Sequence, residues 1–223
     1  MTSPLVRTTR LAMAYRRYLG STNSPRYAAE VNEFYSVSTL MTLLSRGDLE
    51  LRRAAALALG MLGDHASIEP LGRALSDPDR GVRLAADDSF RALLIRDAAP
   101  LHHQQLLKVM HLNDGGEFAG ALAPCMILAD HAPLYAEAHH QLAVCWHGLE
   151  NFSQAESAYI ACLWRCRYHY PAWLGLARCR LVLGESEGAI EALKRCCEIC
   201  PDMESARLQM RAIQRRLRRA SDS

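Results

Sequence analysis

No stretch of the chain alternates Val, Ile and Thr over a strand's length with turn residues at both ends, so the pattern carries no strand signal. The apolar positions fall instead into helix-length segments that repeat. The first repeat has the period that separates Asp48 from Asp79. Asp48-Leu49-Glu50-Leu51-Arg52-Arg53-Ala54-Ala55 lies over Asp79-Arg80-Gly81-Val82-Arg83-Leu84-Ala85-Ala86. In the preceding segments Val37, Leu40, Leu44 and Ser45 fall on Ile68, Leu71, Leu75 and Ser76. Each unit reads as a helix, a turn with an aspartate, and a second helix. Asp48 and Asp79 stand where an N-cap is wanted, because a carboxylate there accepts the orphan N–H groups of the first turn. Gly60 and Gly63 mark the end of a helix.

The second repeat has a slightly longer, 34-residue period. It spaces Ala121, Ala155 and Ala189, and also Val109, Ala143 and Ala177. Leu142 recurs as Leu176, Phe118 as Phe152, Pro133 as Pro201, and Gly116 as Glu150 and Gly184, while His139 falls on Trp173. The small slots have a direct meaning. Two helices of a pair cross closely only if the side chains at the crossing are small. Ala143 is expected to meet Ala155, and Ala177 to meet Ala189; a Leu at either crossing would cost about 1–3 kcal/mol through overpacking. Trp146, Tyr159 and Trp173 then fill gaps between neighbouring helices.

The ends read as caps. Ala206, Met210, Ile213 and Leu217 run at three- and four-residue spacing with arginines between them, one apolar face of a terminal helix. Leu11, Ala14, Tyr15 and Tyr18 fit the same role at the other end, residues 19–25 read as a loop, and a further helix runs from Tyr27 to Tyr35. Continuing the 31-residue period of the first array places Leu106 in register with Leu75 and Leu44, so residues 99–112 can serve both arrays. With no Gly/Ser-rich or Pro-rich spacer, one continuous stack is expected.

These residues carry two resemblances. Leu51 to Asp64, with Ile68-Glu69-Pro70-Leu71 and Ala74-Leu75-Ser76-Asp77, resembles the short HEAT-like repeats associated with phycobilin lyases. The 34-residue slots resemble the tetratricopeptide pattern, with weaker matches in the first unit, where Lys108 and Gln105 fill slots usually Leu and Trp. Arg167 replaces the proline that usually ends a unit. The expected fold is all-α, an α-solenoid of stacked antiparallel helix pairs, HEAT-like followed by tetratricopeptide-like. The segments expected are a basic arm and capping helix at 1–34, HEAT-like repeats at 35–101, three tetratricopeptide-like repeats at 102–203, and a basic capping helix and tail at 204–223.

Composition supports helices: half of the 223 residues are hydrophobic but only 7% aromatic, which suits small side chains between helices. No apolar run is long enough to cross a bilayer. Arginines at 7, 10, 16 and 17 interrupt any signal-peptide core, and although such a start resembles a transit peptide, a cytoplasmic protein is expected. The net charge of +2 conceals basic ends and an acidic body. The ends can fold back on the body or meet an anionic surface.

The sequence shows no nucleophile, phosphate loop or carboxylate pair, so no catalytic residue is assigned. All eight cysteines lie in the second half, and several recur with the repeat: Cys145 with Cys179, Cys162 with Cys196, Cys166 with Cys200. Equivalent positions one repeat apart cannot share an ion, so these read as small buried hydrophobes and no metal or cofactor is expected. His139 occupies a packing slot. His140 and His147 share a helix face with only Glu137 and Glu150 near them in sequence. Arg52 and Arg83 are expected to pair with turn aspartates such as Asp48 and Asp79.

The tetratricopeptide resemblance implies that first helices line a concave groove. That face would carry Leu106 and Met110, then His140, Val144 and His147, then Leu174, Arg178 and Leu181. The groove is mixed in character and fits an extended peptide or a partner helix. The Lys/Asn clamp for chaperone tails is replaced by Leu106, Met110, Pro171 and Gly175, so such tails should not bind. The expectation is a non-enzymatic scaffold or adaptor for a protein or peptide. The alternatives are a bilin-lyase-like enzyme or subunit, and an anionic lipid or nucleic-acid binder acting through the arginine-rich ends. Nucleic acid is the less favoured, for want of interleaved aromatics.

Overall fold

A computed structural model describes residues 9–221. They form thirteen α-helices and one short 3-10 turn, with no strand among the described residues. The chain divides into two compact units, the first ending at Leu93 and the second beginning at Leu94.

The first unit holds α1 (Arg10–Ser21), α2 (Ser24–Phe34), α3 (Val37–Arg46), α4 (Leu49–Leu62), α5 (Ile68–Ala74) and most of α6 (Arg80–Arg96). The 31-residue period is visible in the starts of α3 and α5, at Val37 and Ile68, and of α4 and α6, at Leu49 and Arg80. The caps recur with it. Asp48 Oδ1 accepts the Leu51 N–H at 2.9 Å, and Asp79 Oδ1 accepts that of Val82 at 2.9 Å. Arg52 donates to the carbonyl of Gly47 and Arg83 to that of Pro78, so each closes the turn behind it. The carboxylate taken by Arg52 is neither Asp48 nor Asp79. Arg52 makes a two-pronged bond to Asp77, at 2.9 and 3.2 Å, and Asp79 is held by Arg53 at 2.8 Å through both nitrogens. A guanidinium on the first turn of α4 reaches forward across the pair to the next turn, not back to its own cap. The Arg53 guanidinium, with Val82 and Gly81 N–H groups, outweighs partial burial and holds the Asp79 carboxyl at about 2.

Residues 19–25 are not one loop. Helix α1 continues to Ser21, Thr22 turns the chain in the left-handed region (φ 51°), and Asn23 caps α2 through the Arg26 N–H, with Pro25 in the first turn. Both α1 and α2 pack on α4, and Tyr27 Oη donates to the Ala54 carbonyl at 2.8 Å in the core.

The second unit stacks α7 (Pro100–Asp114), α8 (Phe118–His131), α9 (Ala136–Gly148), α10 (Phe152–Arg165), α11 (Tyr170–Val182), α12 (Ser186–Ile199) and α13 (Glu204–Ser221), each packed on the next. Helices α8, α10 and α12 start at 118, 152 and 186, and α9, α11 and α13 at 136, 170 and 204. The turns repeat as closely. Each first helix ends in a Schellman motif: Glu117 N–H bonds to the Leu112 carbonyl, Asn151 to Trp146 and Glu185 to Arg180. The residue before each donor has positive φ: Gly116 at 75°, Glu150 at 59° and Gly184 at 88°. This backbone need explains the recurrence of Gly116 as Gly184.

Ala121, Ala143, Ala155 and Ala189 are completely buried and Ala177 nearly so, as small crossing residues should be. A larger neighbour closes in where a side chain is missing. A Cβ on Gly175 would lie 2.2 Å from Cζ of Tyr159, whose ring fills the space between α10 and α11. His139 is buried in its packing slot, with Nε2 3.1 Å from the Pro133 carbonyl. The cysteines are free, and six of the eight are buried. Burial pushes the Cys125 and Cys196 thiols up to about 12 and that of Cys179 to about 11, which keeps them protonated and inert.

Glu150 is the one non-glycine among the three left-handed turn positions. Glu150→Gly should raise the unfolding free energy by about 0.5–1 kcal/mol, because the left-handed conformation penalises a side chain by more than glycine's extra chain entropy. Urea unfolding followed by circular dichroism measures this, and a loss of stability would contradict the turn geometry.

Candidate functional site

Of the eight expected groove residues, Arg178 and Leu181 are exposed, His140, Val144, His147, Leu174 and Met110 are half-buried, and Leu106 is completely buried. His140, Val144 and His147 lie on the less buried side of α9, and Leu174, Arg178 and Leu181 on that of α11. His147 is held below the ordinary histidine range by partial burial and by the Arg178 charge, so the two groups lie within electrostatic reach of one another. The His147 ring meets Phe152 edge to face at 5.3 Å.

Leu106 does not join them. Leu106 is completely buried in a cluster with Leu128, Tyr135 and Ala138, and Met110 packs against that cluster. Ile95 and Ala98, from the chain just before α7, pack against the same cluster. The Ile95 carbonyl anchors this segment, accepting from Tyr135 Oη and lying 2.9 Å from His103 Nδ1.

Below the accessible face of α9 lies a polar cluster that sequence reasoning missed. Glu137 Oε1 accepts from Gln141 Nε2 at 2.8 Å and lies 3.0 Å from His140 Nδ1, while Oε2 lies 3.0 Å from His169 Nε2. Glu137 stands in the first turn of α9 and His169 caps α11, so the carboxylate ties two successive pairs together. Burial alone would push the Glu137 carboxyl up; the facing His140 and His169 rings outweigh it and keep the carboxyl well below its usual range. Burial, with the nearby His140 charge, lowers His169 although Glu137 opposes the shift.

Glu137, His140 and His169 are the metal-ligating types, their donor atoms within 4.8 Å of one another. Their hydrogen bonding favours a shared-proton staple. His169 Nδ1 accepts the Ala172 N–H at 3.2 Å, so a neutral ring carries its proton on Nε2 and donates it to Glu137. A ligating histidine instead has its metal-facing nitrogen bare and donates from the other. Binding an ion here would cost the cap of α11.

A second feature lies at α10, α11 and α12: a pocket of about 590 Å³ with Leu163 and Leu176 at its apolar base, Trp164 and Trp173 beside them, and Arg180 and Arg195 among its polar residues. Trp164 is 85% exposed, and Trp173 donates its Nε1–H to the Arg167 carbonyl at 2.9 Å, so neither fills a closed gap between helices. Arg180 is tied to Glu156 at 2.8 Å and Arg195 to Glu198 at 3.0 Å.

The HEAT repeats family profile matches residues 9–107, so it takes in α1 and α2 as well as the pairs that follow. No curated protein matches the chain. Among solved structures, MamA from AMB-1 is similar over 87% of this chain and 99% of its own, at 14% identity and a TM-score of 0.42. A thermophilic TPR protein from Thermus thermophilus is similar over 92% of this chain and 97% of its own, at 16% identity and a TM-score of 0.40. The chain is an all-α helical-repeat protein, an α-solenoid with HEAT-like repeats followed by tetratricopeptide-like helix pairs. No helix among the described residues is long and apolar enough to cross a membrane.

The cluster sets a pH response. His169, His139 and His147 all have folded pKa values below the ordinary one, chiefly through burial. Their unfolded forms take up protons first, so stability present above about pH 6.5 is lost as pH falls toward the folded values. Each tenfold weakening of a ring's hold on its proton is worth about 1.4 kcal/mol. The carboxyl of Glu137 contributes above its unfolded value and loses that contribution only at lower pH, as pH falls through its depressed one. The thermal midpoint should therefore fall between about pH 7 and 5, less steeply in His169→Asn, which keeps a capping acceptor. Equal slopes would remove His169 from the account. One equivalent of zinc at neutral pH should leave the midpoint unchanged; a clear rise would assign the cluster to a metal.

Proposed function

We infer that the protein is a non-enzymatic interaction scaffold that holds a peptide or helix of a partner protein against the first helices of its tetratricopeptide-like pairs. In this reading residues 102–203 carry the binding array and 35–101 the HEAT-like repeats, with capping helices in 1–34 and 204–223; the arm at 1–8 and the tail at 222–223 lie outside the described residues. One observation carries it: α9 and α11 each turn a mixed face outward, His140, Val144 and His147 on one and Leu174, Arg178 and Leu181 on the other, with His147 and Arg178 within electrostatic reach. Apolar contacts beside a few cations suit an extended or helical segment, with affinity from packing and orientation from charge. Buried Leu106 drops out of the binding face, which leaves α9 and α11 as its core. Eight free thiols, mostly buried, suit a reducing, cytoplasmic setting.

Reversing the charge of this face tests the reading. Arg178→Glu combined with Leu181→Glu, both exposed and outside the Glu137 staple, should lower recovery of the partner from lysate about tenfold or more, while circular dichroism shows the array intact. A partner so identified, purified and titrated against both forms, gives the affinity change directly. Equal affinity for the two forms would move the binding site elsewhere.

A further inference from the structure

The amphipathic helix α13 resolves a choice the sequence left open, between folding its arginines back onto the acidic body and presenting them outward. It packs on α12 and buries Ala206 and Ile213, while Arg207, Arg211, Arg215 and Arg218 are exposed along successive turns. They share one face over about 16 Å, at about 6 Å per step between the first three. Among the described residues none of these four is paired with a carboxylate, and Arg215 Nε reaches only the Arg211 carbonyl, at 3.3 Å. Elsewhere the protein spends its arginines on acids: Arg16 on Glu50, Arg52 on Asp77, Arg53 on Asp79, Arg180 on Glu156.

A terminal helix needs a polar outer face, but mixed charges would serve. Like charges four residues apart repel, and Arg207, Arg211 and Arg215 stand at that spacing. Helix α13 begins one full period after α11, at Glu204 against Tyr170, so it holds the place of the next first helix. Arg211 stands one period after Ala177, at the slot where a first helix receives its second. The repeat therefore places another helix against this face, and the face offers it charge where the earlier pairs offer a small residue.

We propose that the arginine ridge of α13 docks an acidic helical segment of a partner protein. The proposal rests on the protein-binding reading and adds to it the partner's chemistry and a second contact. A carboxylate row on an α-helix has the same rise per residue as the ridge, so the two can run in register, each guanidinium taking a carboxylate. The rest of the unit sets the length of the occupant. Residues 94–203 carry eight Lys and Arg against twelve Asp and Glu, so a polyanion longer than the ridge meets like charge beyond it. A second copy of α13 would bring arginine to arginine. A lipid surface would want the apolar face of the helix, which is spent on α12.

The probe is a fluorescein-labelled, helix-forming peptide of roughly 20 residues, with Glu at the spacing of Arg207, Arg211, Arg215 and Arg218. A matched peptide carries Lys at those places. Anisotropy titration with the full chain at low salt should show saturable, micromolar binding of the Glu peptide, none of the Lys peptide, and marked weakening in added salt. The triple changes Arg207→Glu, Arg211→Glu and Arg215→Glu should weaken binding about tenfold or more; the same three changes to Gln give a milder loss and serve if the reversal disturbs folding. Circular dichroism and the thermal midpoint check both variants. Failure to bind the Glu peptide, binding that survives both sets of changes, or tighter binding of a DNA duplex or of phosphatidylserine vesicles would overturn the proposal. The Arg178→Glu/Leu181→Glu form should bind the Glu peptide as the wild type does. Loss of the partner by that form without peptide binding removes the ridge alone; peptide binding with an unaffected partner removes the groove alone.

Discussion

Two helices of a pair can lie close together only where the side chains at their crossing are small, and the second unit is built on that constraint. Ala121, Ala155 and Ala189 on the second helices, with Ala143 and Ala177 on the first, are buried at 34-residue intervals. The return of the chain is equally fixed. A Schellman bond and a left-handed residue end each first helix, at 116, 150 and 184. A close crossing and a fixed turn leave each pair little freedom in length, which is why helix starts recur without drift from 118 to 186 and from 136 to 204.

Residues with apparent chemical character follow from the same geometry. Cys162 and Cys196 recur because each fills a completely buried slot that Leu128 nearly closes one repeat earlier. Their neighbours Cys166 and Cys200 stand where Ala132 ends α8, and all three carbonyls accept the N–H three residues on. What does not recur is more informative. Glu137, His140 and His169 form a single polar staple at the N-terminal ends of α9 and α11, the helices that carry His147 and Arg178 further along.

Much of this was legible in the chain. The 34-residue alanines, the 31-residue aspartate caps at Asp48 and Asp79, and the burial of His139 follow from spacing and side-chain size. The misreadings share a cause: they depend on contacts that no period predicts. Leu106 keeps the groove register, but it is buried among Leu128, Tyr135 and Ala138 with Ile95 and Ala98 packed on the same cluster, and nothing in a repeat pattern announces a contact that occurs once. The carboxylate of Asp77, not Asp48, takes Arg52 because the side chain reaches forward. Residues 19–25 contain Gly, Ser, Asn and Pro, yet Thr22 and Asn23 alone make the turn, because Pro25 suits the first turn of a helix as well as it suits a loop. Glu137 and His169 stand 32 residues apart, off the period by two. The available signal was His169 one residue before a helix start, with Glu137 three residues before His140.

The reading of a stacked scaffold rests on the crossings, and a double-mutant cycle at Ala143 and Ala155 tests them most directly. Each is changed to Val, singly and together, and unfolding free energies are measured in urea. If the two helices nest at these residues, the effects are coupled by about 0.5–3 kcal/mol beyond their sum. If the energies simply add, the two side chains do not meet, and the close crossing on which the array depends is not there.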